Sequence, residues 1–147
     1  MIWYASGPER YSTGIAASAF SKGDILVYTS ASSLSRLQTS SASLGAAIGE
    51  IVGIALASSL ESIANQTPYL VLKENTVCWS DCTTTGSQYS RGEGVDFEYT
   101  GATFKVTTSA ITPIFIIDAN GASNDVIDSA TSRVRGVFDP TYLRFRS

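Results

Sequence analysis

Asp96 and Glu98 in "VDFEYT" stand two residues apart and so project to one face of a strand, the placement that a general acid and base pair of carboxylates needs. Their alternation with Val95, Phe97 and Tyr99 supports a plainer role, the solvated face of an amphipathic strand. Glu50 is an acid inside the apolar passage "LGAAIGEIVGIALASS". Burial there would raise its pKa toward that of an acid catalyst, whereas a strand would simply point it outward or toward an arginine across an interface. "DANGASND" gathers oxygen side chains at Asp118, Asn120, Asn124 and Asp125, but a calcium loop requires more acids at tighter spacing, so the segment reads as a turn with Asx caps. Cys78 and Cys82 are four residues apart, about 13 Å in an extended strand and too far to bridge. A metal site would need two further ligands, so both are expected to be buried free thiols.

Histidine is absent from the chain. The usual base near neutral pH, the usual zinc ligand and every Ser-His or Cys-His nucleophile pair are therefore missing from its repertoire. The expectation is a protein that is not an enzyme and uses no cofactor or metal. A net charge of −3 gives no electrostatic case for nucleic acid, which calls for a basic stripe reaching phosphates. Charged residues make up only 16%, with serine and threonine filling the polar positions, a surface that suits β-structure.

Two other groups of residues suit contact rather than catalysis. Ile2, Trp3 and Tyr4 concentrate apolar area ahead of a Ser-Gly-Pro break, and residues 1–19 read as an N-terminal arm before a single β domain over residues 20–147. The aromatics of that arm either cover the protein's own core or reach a neighbouring subunit. Arg133, Arg135, Arg144 and Arg146 are four of the ten basic residues, and alternate arginines on a strand present one charged face suited to an acidic neighbour. "MIWYASGPER" has neither the basic nor the apolar region of a secretory signal, and synthesis in the cytoplasm is expected.

The elements that position these residues read as strands. The passage Leu44–Ser59 is too short for a membrane span and is interrupted by Glu50. Within a helix, Gly45, Gly49 and Gly53 would each cost about 1 kcal/mol relative to alanine. In a sheet, Gly49 and Gly53 can mark a bulge or barrel corner, so "GEIVGIALAS" reads as a strand that a short helix over Ser41–Ile48 could precede. "FSKGDILVYTS", "TPYLVLKE", "NTVCWS", "VDFEYT", "TFKVTT", "TPIFIIDANG" and Arg133–Phe138 supply further short strands separated by turn signals, and "SASSLSRLQTSSAS" reads as a loop or a short strand at "SRLQT". Their number and spacing predict a mainly β chain, a small antiparallel β-barrel, β-tulip or sandwich with an extended N-terminal arm.

The ordered phrases "FSKGDILVYTS", "IVGIALASS" and "TPYLVLKENTVCWS", over roughly Ala16 to Trp79 with an echo in "SRVRGVF", resemble the decoration (cement) proteins of tailed-bacteriophage capsids. The resemblance implies a small β-barrel or β-tulip on the outer capsid surface of the virion, assembled as a homotrimer that clamps adjacent major capsid proteins. The competing class is a carbohydrate-binding or adhesin-like β module of a phage tail fibre, in which Trp3, Trp79, Tyr89 and Tyr99 would stack on sugar rings.

Overall fold

Twelve strands form the regular β structure among the residues that the computed structural model describes, which are 1–29, 33–37, 49–59, 66–83, 89–107, 113–118, 127–128 and 132–145. Five of them, β2 (Arg10–Ala16), β3 (Ile25–Tyr28), β4 (Ser33–Arg36), β5 (Ile51–Ala55) and β6 (Gln66–Val71), close a barrel in the order β2-β4-β3-β5-β6. Every neighbouring pair in it is antiparallel except β2 and β4, which run parallel. The remaining strands build one sheet in the order β1 (Ile2–Ser6), β7 (Val77–Asp81), β12 (Arg133–Phe138), β10 (Phe115–Ile117), β8 (Gly94–Thr100) and β9 (Thr103–Thr107), with β11 (Ile127–Asp128) also paired to β12. This sheet curls on itself. Beyond β7, Cys82 makes a parallel bridge to Val106 on β9, and Thr83 N donates to Val106 O at 2.9 Å. The chain is therefore mainly β, as its sequence predicts.

The continuous apolar runs follow from this arrangement, because barrel strands are covered on both faces. Leu26, Leu34, Val52, Ala55, Tyr69 and Val71 form one cluster with Ala16 and Phe20, whereas their neighbours Ile25, Val27, Ile51, Ile54, Leu70 and Leu72 join a second cluster. That second cluster includes Cys78, Val95, Phe97, Phe104, Phe115 and Phe138 from the curled sheet, so the barrel and sheet share a core. The Phe97 ring stacks on Phe138 at 5.6 Å between centroids and meets Phe115 edge-on at 5.3 Å. Such pairs add about 0.5–1.5 kcal/mol beyond the area they bury.

Gly53 lies at the bend that its sequence context predicts. The register slips between Leu26 and Val27 of β3, which face Gly53 and Ile51, leaving Val52 as the extra residue of a bulge. A Cβ at Gly53 would lie 2.2 Å from Leu70 O and 2.6 Å from a Tyr69 ring carbon. The glycine lets β5 approach β6 this closely. β4 overlaps the possible "SRLQT" strand only at Ser35 and Arg36, and Leu37 lies past its end, whereas the short helix allowed over Ser41–Ile48 and the turn in "DANGASND" lie outside the described residues.

The separate N-terminal arm is corrected. Residues 2–16 provide β1 of the sheet and β2 of the barrel, joined at a turn where Gly7 takes φ +85°. Ile2 is only 2% exposed and belongs to the shared core, while β1 pairs along β7 through Ile2–Ser80, Trp3–Trp79 and Tyr4–Cys78. Phe20 is buried inside the barrel cluster, so the predicted boundary at residue 19 falls within an integrated region. A single in-out alternation before a Ser-Gly-Pro break is too short to register as a strand period, and the partner strand lies more than seventy residues along the chain.

Candidate functional site

β7 and β12 alternate cleanly between core and outer face. Cys78, Ser80, Val134 and Phe138 are buried, while Trp79, Arg133, Arg135 and Val137 are half-buried on the other side. The adjacent Trp3 lies opposite Trp79, and Arg135 is the β12 partner of Trp79. The result is an array of tryptophans and guanidinium groups on one rigid face. The Arg133 guanidinium lies 5.6 Å from the Trp3 ring centroid and 5.8 Å from that of Trp79, and the Arg135 guanidinium lies 5.8 Å from Trp79. Arg135 Nη2 also pairs with Asp118 Oδ2 at 3.2 Å, and Asp118 N donates to Arg135 O at 3.0 Å. Cation–π contacts at this range hold both partners in place and contribute about 0.5–1 kcal/mol each where exposed.

The predicted contact residues divide between several places. Trp3, Arg133 and Arg135 come together in this array. Ile2 belongs to the core, and Tyr4 packs against the same cluster with its hydroxyl donating to Gly7 O at 2.8 Å. Arg144 lies at the barrel, its guanidinium 5.1 Å from the Tyr28 ring centroid. Arg146 falls outside the described residues. Of the four aromatics suited to sugar stacking, Trp3 and Trp79 share the sheet face. Tyr89 is buried with its hydroxyl donating to Val106 O at 3.0 Å, and the Tyr99 ring is covered by the Arg36 guanidinium at 4.2 Å.

The candidate carboxylates lie in different surroundings. Asp96 is fully buried rather than on a solvated face, and its Oδ1 accepts from Phe97 N at 2.8 Å, whereas Glu98 is half-buried opposite Lys105. The expected alternation fails at Asp96 because β8 is covered on both faces there, with Val95 and Phe97 also fully buried and the facing Thr107 only 6% exposed. Glu50 is half-buried immediately before β5. Among the described residues, no group of three or more potential ligands could hold a metal ion. Of "DANGASND" only Asp118 is described, and it is the ion-pair partner of Arg135. Among the described residues, no helix is long and apolar enough to cross a membrane.

Cys78 and Cys82 are buried free thiols. Burial pushes both up to about 12, with Asp81 adding to the effect at Cys82. The thiolate is the reactive species, so neither should react with an alkylating reagent in the native protein. Mass spectrometry after a timed iodoacetamide pulse should find both thiols unmodified before denaturation and modified after it, and rapid native labelling would refute this. A reductant should leave the melting temperature unchanged.

A second feature lies at the barrel mouth, where a cavity of about 280 Å³ is lined by Arg10, Tyr11, Ser12, Tyr28, Tyr69, Val71, Lys73 and Phe145. Phe145 is delivered by the chain after β12, which lies beside β5 through an Ile51–Leu143 bridge and an Arg144 N to Ile51 O hydrogen bond of 2.8 Å. Sequence reading missed this site because its residues come from β2, β3, β6 and the tail, with no local motif linking them. Compared with known protein families and with curated protein sequences, the chain shows no match.

Proposed function

We propose that this chain is a decoration (cement) protein of a tailed-bacteriophage capsid. It is a non-enzymatic virion component that binds the outer capsid surface as a homotrimer and stabilises the shell by bridging neighbouring major capsid proteins. The Trp3–Arg133–Trp79–Arg135 array is the observation that carries this reading. Tryptophan and arginine dominate interface energetics because each brings large contact area or bidentate hydrogen bonding at modest entropic cost. The order of strand phrases from Ala16 to Trp79 resembles that of cement proteins and supports the same reading. A protein that binds only the assembled shell stabilises it by mass action, and three linked copies add avidity.

Co-expression with the major capsid protein of the same genome, followed by gradient sedimentation, tests the proposal. The chain should travel with the shells and raise the temperature at which they rupture. Recovery at the top of the gradient, with rupture unchanged, contradicts it. Binding to immobilised polysaccharide instead of shells would favour the tail-fibre module.

A further inference from the structure

We propose that the barrel mouth binds a small planar organic anion, an aromatic carboxylate of about the size of benzoate. This inference is independent of the shell-binding reading. The cavity, at about 280 Å³, lies just below the range of pockets that take drug-sized ligands, so a one-ring molecule suits it. Tyr28, Tyr69 and Phe145 line it with flat apolar surface, and the Phe145 ring stands at 89° to that of Tyr28 with centroids 6.4 Å apart. A planar ring entering between such walls gains the edge-to-face contacts that aromatic quadrupoles favour.

Charge and hydrogen bonding select the anion. Arg10 and Lys73 line the cavity, Lys73 Nζ lies 5.8 Å from the Phe145 ring centroid, and Arg144 lies over Tyr28. Glu9 offsets one of these charges at the rim, where it accepts a hydrogen bond from the Tyr11 hydroxyl. Among these described residues Arg10, Lys73 and Arg144 outnumber Glu9. Deeper in, the Tyr28 and Tyr69 hydroxyls lie 3.2 Å apart and share a hydrogen bond, and Tyr69 is only 2% exposed. Two hydroxyls carry two protons, and the bond between them uses one. The second is left for an acceptor in the cavity that both residues line, which a carboxylate oxygen provides. The bond to Tyr69, and then burial, push the Tyr28 hydroxyl up to about 12, so Tyr28 keeps its proton at neutral pH.

Calorimetric titration of the intact protein with benzoate, benzamide and glutamate is the test. Benzoate should bind saturably, and benzamide, which has the same shape without the charge, at least tenfold more weakly. Tyr28→Phe and Lys73→Met should each weaken benzoate binding by about tenfold, the effect of losing one hydrogen bond or charge partner to an anion. Melting curves of both variants establish that they fold, and Thr13→Ala on the exposed part of β2 serves as an unaffected control. Equal affinity for benzoate and benzamide, no saturation below about 10 mM benzoate, or unchanged binding by both variants would overturn the proposal. Binding of glutamate in preference to benzoate would also overturn it, since the site would then take an acidic side chain.

Discussion

A chain lacking residues 2–10 is expected to lose cooperative unfolding altogether. The deletion removes β1, and with it Ile2 from the shared core and the ladder along β7. It also shortens β2 at Arg10, which pairs with Val71 in closing the barrel. Truncating a buried isoleucine to alanine costs about 2–5 kcal/mol. Loss of a whole paired strand adds exposed apolar area and unsatisfied main-chain groups to that cost, against a total stability of about 5–15 kcal/mol. Urea titration followed by tryptophan fluorescence and circular dichroism should show no sigmoidal transition for the truncated chain. The point variant Ile2→Ala should keep a transition at a clearly lower midpoint. A truncated chain that unfolds cooperatively near the wild-type midpoint would restore the segment as a detachable arm.

Gly53→Ala is expected to destabilise the barrel by about 3 kcal/mol, lowering the melting temperature by roughly 6–12 °C. The added methyl group meets Leu70 O at 2.2 Å and a Tyr69 ring carbon at 2.6 Å, and a backbone carbonyl can yield only if β5 and β6 separate. Gly101→Ala is the comparison. Gly101 has φ +59° but nothing within 4 Å of a new Cβ, so alanine there meets only the backbone preference, about 1 kcal/mol. Differential scanning calorimetry should rank Gly53→Ala well below Gly101→Ala. Equal losses would mean that the close approach at Gly53 is relieved without cost.

The β class and most strands of the body were legible in the sequence because turn residues punctuate them, as in "FSKGDILVYTS", where Gly23 takes φ +87° immediately before β3. The glycine bend in β5 was legible for the same reason. β1 was hidden because its partner β7 is far along the chain and only that pairing makes Ile2 a core residue. Asp96 was misread because alternation reports burial only when one face of a strand is open, and β8 has both faces covered at that residue. Arg133 and Arg135 were visible as alternate charges, but their convergence with Trp3 and Trp79 depends on β1, β7 and β12 lying side by side. Arg144 has the same residue type a few residues past the end of β12, yet it lies at the barrel.

That contrast provides the most direct measurement. The double variant Trp79→Ala/Arg135→Ala and the single variant Arg144→Ala, each shown by melting curves to be folded, are titrated onto shells stripped of the protein, and bound material is quantified after sedimentation. If the sheet face holds the shell, the double variant loses at least about 30-fold in affinity, the scale of an interface hot spot, while Arg144→Ala binds as the wild type does. Equal binding by all three proteins, or a loss confined to Arg144→Ala, would contradict attachment through the tryptophan–arginine face.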